Sequence, residues 1–197
     1  MTPVTLASKS SARARVLAAA GVPFEAVGAG VDEGTVKEEL LAKGATPRDV
    51  AVALAERKAV AASQGRAGLV IGADQTLDLN GQLFDKAESL EEARERLTTL
   101  RGQVHKLHSA VAIAEDGVVI WREAPAATLT MRSFSDAFLD GYLAKHGDAL
   151  LASVGCYRLE DNGVQLFEAI DGDYFTILGL PLMGLLDLLR RRGALAA

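Results

Sequence analysis

The residues best suited to chemistry lie where apolar segments give way to polar ones. In the run from Val70 to Gln75, a short apolar stretch typical of a buried strand ends in the carboxylate of Asp74 and the carboxamide of Gln75. Ligands of open α/β sheets gather at the carboxyl ends of strands. A buried carboxylate also needs a partner, such as a metal ion or a water to be activated. Asp74 is therefore the first candidate for chemistry.

A second polar cluster, from Ser8 to Arg13, follows the apolar opening Val4–Ala7 at a predicted turn from strand to helix. Hydroxyls, backbone N–H groups and a guanidinium can converge there on one anion, which makes Ser8 and Arg13 phosphate-binding candidates. A helix cap with a surface arginine explains the same residues, and spacing alone does not separate the two interpretations. Together with Asp74, this cluster suggests a metal-assisted reaction on a phosphorylated substrate.

The remaining candidates are individually weaker. Glu33 follows Asp32 in a predicted loop over 28–34, where a solvated acidic loop is the simpler interpretation. Lys58 is one charge on an alanine-rich helix, where a solvated surface is the simpler interpretation. Lys86 follows a predicted hairpin and is a weak signal in isolation, with Asp85 as a local charge neighbour. Two further polar residues near element ends complete the set, Glu160 and Gln165.

His105, His108 and Cys156 are interpreted as structural. The two histidines are three residues apart in a predicted strand, so they point to opposite faces and make a poor metal pair. Cys156 is the only cysteine, which excludes an intramolecular disulfide, and no histidine partner can be named for it as a nucleophile. We expect its thiol to be buried like a small hydrophobic side chain.

The composition excludes several classes of protein. The 197 residues are 49% hydrophobic and 24% charged, the balance of one ordinary globular folding unit. The net charge of -5 and the dispersed cations argue against a nucleic-acid-binding face. No apolar stretch has the length of a membrane span, and no signal segment opens the chain. We therefore expect a cytoplasmic protein without membrane or nucleic-acid partners.

The elements that must position these residues follow from apolar periodicity, caps and turns. Thr46 and Pro47 form a strong helix start, Asn80-Gly81 a hairpin turn, and Ser89 with Glu92 a capping box. Strands are predicted over 4–7, 24–27, 69–73, 76–79, 82–84, 104–114, 118–122 and 128–132. Helices are predicted over 11–20, 47–64, 90–102, 135–146 and 181–192. The alternation indicates an α/β or α+β fold with a central sheet.

Five segments in order resemble the Maf family of nucleoside triphosphate pyrophosphatases. Each is weak alone, but five in register over nearly the whole chain are a specific signal. They are Leu6–Arg13, Val31–Glu33, Ala55–Ala59, Gly72–Gln75 with Asn80, Gly81 and Lys86 following, and Gly179–Leu182.

The resemblance implies a mixed α/β fold of the Maf/ITPase-like type. We expect an elongated central mixed sheet flanked by helices, two lobes with an active-site cleft between them, and a single domain over 1–197. It implies hydrolysis between the α and β phosphates of a nucleoside triphosphate, giving a monophosphate and pyrophosphate. The expected role is removal of modified or non-canonical nucleotides.

The resemblance assigns roles only to the residues that match the family's motifs. Asp74 would accept the proton of the attacking water, and Glu33 with Asp74 would hold a divalent cation, Mg²⁺ or Mn²⁺. Ser8, Arg13 and Lys58 would bind the triphosphate. Lys86 would bind it as well, completing the catalytic set with Asp74 and Glu33. Phosphoryl chemistry is mostly positioning and charge neutralisation, which this set supplies.

Base preference is predicted from Gln75 and Glu160, which resemble the 7-methyl-GTP branch of the family. A carboxylate at 160 can accept hydrogen bonds from a guanine edge. Ala12 stands where that branch has a tryptophan, so a cation–π contact to the base is lost there. Ala87 likewise replaces the usual proline.

The open alternatives are a dTTP/UTP pyrophosphatase, a nucleotide-binding regulator of cell division without essential catalysis, and a phosphatase releasing orthophosphate. A homodimer is expected.

Overall fold

A single mixed sheet organises the molecule, and the computed structural model describes residues 1–196. The spatial order is β2-β1-β3-β5-β7-β8, with β4 paired to β3 and β6 paired to β5. β1 is parallel to both of its neighbours, and every other pairing is antiparallel. The strands are β1 (Val4–Ala7), β2 (Glu25–Val27), β3 (Leu69–Leu79), β4 (Gln82–Phe84), β5 (Val104–Glu115), β6 (Val118–Glu123), β7 (Ala126–Met131) and β8 (Phe167–Asp171).

Within residues 1–196, seven α-helices cover the sheet, with two 3₁₀ helices at Gly147–Ala152 and Asn162–Leu166. The helices are α1 (Ser11–Ala19), α2 (Glu33–Ala42), α3 (Pro47–Ser63), α4 (Leu90–Leu100), α5 (Asp136–His146), α6 (Tyr174–Ile177) and α7 (Met183–Arg191). The predicted mixed α/β fold with a central sheet is confirmed. Within the described residues no helix is long and apolar enough to cross a membrane.

Helix caps follow the sequence pattern. At the start of α3, the Thr46 side chain accepts from the Asp49 N–H, and the Asp49 carboxylate accepts from the Thr46 N–H. This is the reciprocal capping box. At the start of α4, the Ser89 hydroxyl accepts from the Glu92 N–H, as predicted. The Glu92 carboxylate, however, accepts from the N–H of Glu88, the residue before Ser89, and not from the Ser89 N–H.

The predicted strand end after Ala73 is wrong. β3 runs without a break through Asp74 to Leu79. Its parallel neighbour β1 ends where Ala7 pairs with Gly72, whereas β5 continues to pair with β3 as far as Asp78. The bonds to β5 extend the strand past the point at which β1 stops. Asp74 therefore lies inside a strand, just beyond the end of its parallel neighbour.

The predicted loop over 28–34 is also wrong at its end. Glu33 is the first residue of α2, and the Asp32 carboxylate accepts from the Thr35 N–H at 3.2 Å as its N-cap. Only Val36 of α2 is fully buried, so the helix carries little apolar periodicity. β8 was not predicted either, because most of its side chains are exposed.

Two large apolar clusters share the central strands β3 and β5. One includes Ile71 and Ala73 of β3 and packs against α1 and α7. The other includes Leu77 of β3 and packs against α4, α5 and β7. Asp74 and Gln75 lie between the two clusters, which agrees with the two lobes expected on either side of a cleft.

Candidate active site

Lys58 joins two carboxylates from different elements. Its Nζ lies 2.7 Å from Asp74 Oδ1 and 2.8 Å from Glu33 Oε1. The Lys58 and Asp74 side chains are only 7% and 8% exposed, whereas Glu33 is 46% exposed. α2, α3 and β3 thus each contribute one charged group. We call these three residues the acid–lysine cluster.

The close approach of α3 to β3 builds this cluster. A Cβ at Gly72 would lie 2.1 Å from the Ala55 carbonyl oxygen and 2.5 Å from the Ala59 nitrogen. Only glycine allows the helix backbone so near. Side chains alternate along a strand, so Asp74 is on the same face as Gly72 and meets Lys58 on α3. Lys58 is therefore buried, and its interpretation as a solvated surface charge is wrong.

Arg13 lies close to the cluster at the start of α1. Its Nε donates to the Gly179 carbonyl at 2.8 Å, and its Nη1 lies 3.4 Å from Ser8 Oγ. Burial lowers the pKa of the Arg13 guanidinium, while the charges of Asp74 and Glu33 oppose that shift. Ser8 also accepts from the Ser10 N–H at 3.2 Å. The segment 8–13 therefore provides both a helix cap, through Ser10, and a cation, Arg13, that interacts electrostatically with the two carboxylates.

Lys86 adds a further cation to the same electrostatic environment. Desolvation lowers its pKa below the ordinary lysine value, and the neighbouring positive charge of Arg13 acts in the same direction. Glu33 and Asp74 partly oppose the shift. The charges of the acid–lysine cluster and of Arg13 therefore act on Lys86, although Lys86 lies in the segment between β4 and α4.

Glu33 is held in its charged form by these cations. Burial alone would raise the pKa of its carboxyl, but the hydrogen bond to and charge of Lys58, followed by the charges of Lys37 and Arg13, lower it overall. Lys37, one turn along α2, also pairs with Asp85, the residue before Lys86. The sequence pattern does not predict this ion pair, because Lys37 and Asp85 are far apart in the chain.

Gln75 lies on the opposite face of β3 from Asp74, because adjacent strand residues alternate. Its Nε2 is 2.8 Å from Ser109 Oγ and 3.0 Å from the carbonyl oxygens of both Thr176 and Ile177. The amide nitrogen is thus engaged by the end of α6. Ser109 on β5 is a site neighbour that the sequence did not single out, although its register opposite Gln75 places it there.

Ala12 and Glu160 line one cavity of about 570 Å³, remote from each other in sequence. Its walls are largely apolar and include the rings of Tyr174 and Phe175. The Glu160 carboxylate lies 3.5 Å from Arg158 and 3.8 Å from Arg15, so cations flank it. Of the three positions from which base preference is predicted, Ala12 and Glu160 therefore share a pocket, and Gln75 does not line it.

His105, His108 and Cys156, the residues interpreted as structural, are all buried. His105 Nε2 is 2.8 Å from the Tyr157 hydroxyl, and His108 Nε2 is 3.1 Å from Asp78, so the two histidines have different partners. Burial lowers the pKa of His105 to about 4. Cys156 is fully buried in the cluster that contains Leu77, as predicted. Gln165 is exposed, and its backbone carbonyl accepts from Arg132.

The Glu33 and Asp74 carboxylates suit a hard divalent cation that also binds substrate oxygens, rather than a metal ion held by protein ligands alone. Among residues 1–196 no group of three or more His, Cys, Asp and Glu side chains is placed to hold a metal ion. Mg²⁺ is commonly held by one or two carboxylates together with substrate phosphates. Glu33 and Asp74 offer such a pair of oxygen donors beside one ammonium.

Comparison with known proteins decides the family. Residues 3–192 match the sequence model of the family described as Maf-like protein. The chain belongs to this family. The Maf-like match extends over all of the elements that form the candidate site, from β1 to α7. The predicted family is thereby confirmed.

Several relatives that the chain matches over nearly their full length have names that specify an activity. The chain is 66% identical over 195 residues to a nucleoside triphosphate pyrophosphatase of Caulobacter vibrioides, covering 99% of this chain and 98% of that protein. It is 48% identical to a 7-methyl-GTP pyrophosphatase of Rhizobium meliloti, covering 98% and 97%. It is equally similar, at 48%, to a 7-methyl-GTP pyrophosphatase of Brucella abortus, covering 95% of each.

Proposed function

We propose that this protein hydrolyses nucleoside triphosphates between the α and β phosphates, producing a nucleoside monophosphate and pyrophosphate. The observation that carries the proposal is the acid–lysine cluster, in which buried Lys58 holds Asp74 and Glu33 beside Arg13. Membership of the Maf-like family and the names of the full-length relatives support the same activity. The chain is accordingly proposed to be a hydrolase of the house-cleaning type.

Asp74 is the proposed proton acceptor for the attacking water. Lys58 donates to its Oδ1, which fixes the side chain and leaves Oδ2 without a hydrogen bond from the described residues. A general base needs both a defined position and a free acceptor oxygen. The low exposure of Asp74 limits competing bulk water around that oxygen.

The triphosphate is proposed to lie against the cations around this carboxylate. Ser8 lies in the turn between β1 and α1, Arg13 in α1, Lys58 in α3 and Lys86 in the segment after β4. Cations and N–H donors that are already in place neutralise charge on the phosphates without reorganisation during the reaction. Glu33 and Asp74 would hold Mg²⁺ or Mn²⁺, which when bound would neutralise phosphate charge and activate the pyrophosphate as a leaving group.

The base is proposed to enter the cavity shared by Ala12 and Glu160. Glu160 is the proposed reader of a guanine edge, through hydrogen bonds from N1–H and the exocyclic amine. The aromatic rings of Tyr174 and Phe175 in the same wall provide apolar surface for stacking, which Ala12 does not. Gln75 is proposed to affect base preference less directly than Glu160, because its amide nitrogen already donates to the carbonyl oxygens of Thr176 and Ile177.

Base preference is tested with the variant Glu160→Gln. We expect the parent protein to prefer 7-methyl-GTP and GTP to dTTP and UTP. We expect the variant to lose roughly tenfold in kcat/KM for the guanine nucleotides alone, because one charged acceptor is removed. Glu168→Gln, an exposed carboxylate on β8, is the matched control. Preference of the parent for dTTP and UTP would instead assign the chain to the alternative branch.

A further inference from the structure

The last turn of α6 is held by side chains from the sheet. Ser109 Oγ donates to the Thr176 carbonyl at 2.6 Å, and Gln75 Nε2 lies 3.0 Å from the same oxygen. Gln75 Nε2 is also within 2.8 Å of Ser109 Oγ, so the hydroxyl both donates and accepts. Carbonyls at a helix end have no partner within the helix and need one elsewhere. Ser109 and Gln75 supply it here.

The same turn orients Arg13. The Gly179 N–H donates to the Thr176 carbonyl at 3.1 Å, and the Gly179 carbonyl accepts from Arg13 Nε at 2.8 Å. Gly179 has a φ of +87°, a conformation that favours glycine, so this carbonyl is aimed by a specific backbone turn. One continuous set of hydrogen bonds therefore connects Ser109 to the guanidinium.

We propose that Ser109 is a positioning residue that fixes the guanidinium of Arg13 for the phosphates through the turn from Thr176 to Gly179. The proposal rests on the proposed function. Ser109 is fully buried and cannot touch a nucleotide itself, so it acts only through the turn. No other hydroxyl reaches the Thr176 carbonyl among the hydrogen bonds of residues 1–196.

Removing the hydroxyl disturbs the position of Arg13 in two ways. The Thr176 carbonyl loses its shortest hydrogen bond, and Gln75 loses the acceptor that orients its amide. A buried polar group without its partner favours local rearrangement of the turn. Small displacements of a group that positions a reactant reduce its contribution strongly. Phosphate binding should therefore weaken although no contact residue has changed.

The test is a double-mutant cycle measured by calorimetric binding of α,β-methylene-GTP in the presence of Mg²⁺. It uses the parent protein, Ser109→Ala, Arg13→Ala and the double variant. We expect Ser109→Ala to weaken binding about tenfold in the parent background and to have no further effect when Arg13 is already absent. Ser109→Cys replaces the hydroxyl with a somewhat larger and weaker donor and should give a smaller loss with the same dependence on Arg13.

Ser63→Ala is the matched control, because Ser63 is equally buried and its hydroxyl also bonds a carbonyl, that of Val60 at 2.9 Å. Thermal unfolding of each variant separates lost stability from lost positioning. We expect both serine variants to unfold at lower temperature and only Ser109→Ala to weaken binding. Unchanged binding, or an equal loss with and without Arg13, would overturn the proposal. Absence of binding by the parent protein would instead count against the proposed function.

Discussion

At the scale of single residues, Lys58 determines how the two carboxylates are arranged. A lysine with 7% exposure requires compensating charge, and Asp74 and Glu33 supply it from two different elements. Each carboxylate in turn has one oxygen fixed by the ammonium. The site is thus organised before any nucleotide arrives, as electrostatic catalysis requires.

Replacing Asp74 with Asn tests the proposed base. We expect kcat to fall by about 10²–10⁴-fold, the usual contribution of general-base catalysis, with nucleotide binding largely retained. Asp78→Asn on the same strand is the control, since Asp78 pairs with His108 away from Lys58. Steady-state kinetics and calorimetric binding measure both effects. Turnover of Asp74→Asn within a few-fold of the parent would show that Asp74 is not the base.

The lowered pKa of Lys86 predicts that kcat/KM depends on pH. Desolvation lowers its pKa, so its ammonium loses the proton below the pH at which an ordinary lysine does. If the charge is needed, kcat/KM falls as pH rises through that lowered pKa. In Lys86→Arg the charge persists, and we expect the alkaline limb to move to higher pH. Lys37→Arg is the control, and an identical limb in parent and Lys86→Arg would remove Lys86 from the phosphate site.

At the scale of elements, the contact between α3 and β3 sets the distance between Lys58 and Asp74. The alanines of α3, Ala51, Ala55 and Ala59, pack on the alanines of β5 and leave the helix close to the sheet. Gly72 completes this close packing on β3. The small side chains are therefore part of the site even though none of them is polar.

Gly72→Ala is expected to separate the two elements. The added Cβ meets α3 backbone atoms rather than a flexible side chain, so we expect a loss of about 1–3 kcal/mol in the free energy of unfolding and a fall in kcat. Gly141→Ala in α5 is the control, since its Cβ meets nothing within 4 Å and alanine favours the helix. Denaturant unfolding measures the change. Equal stability of Gly72→Ala and the parent would contradict the close-packing argument.

The sequence predicts elements well where local chemistry specifies them. The start of α3 follows from Thr46 and Pro47, and the β3–β4 turn follows from Asn80-Gly81. The continuity of β3 through Asp74 depends instead on pairing with β5, which is distant in the chain. The sequence pattern does not predict α2, because this helix buries few apolar side chains.

The same limit applies to the site. Asp74 could be singled out because a carboxylate in an apolar run is unusual, and Ser8 and Arg13 because they open a helix. The burial of Lys58 and the partnership of Ser109 with Thr176 arise only from tertiary packing. Without the family resemblance, the residues alone left Glu33, Lys58 and Lys86 as ordinary surface charges.

At the scale of the whole molecule, the site residue Asp74 lies on β3 between residues of two apolar clusters. β3 and β5 contribute to both clusters, so the sheet connects the two lobes directly. We propose that the chain forms a single domain for this reason. The cytoplasmic location and the homodimer stay predictions, the latter to be examined by sedimentation velocity.

The most direct test of the central claim is Mg²⁺-dependent turnover of GTP and 7-methyl-GTP, with products separated by chromatography and no added pyrophosphatase. The account predicts equal amounts of nucleoside monophosphate and pyrophosphate, and no turnover without a divalent cation. Release of orthophosphate with a nucleoside diphosphate would show cleavage at the terminal phosphate and contradict the assignment. Binding of the nucleotides without any turnover would contradict it as well.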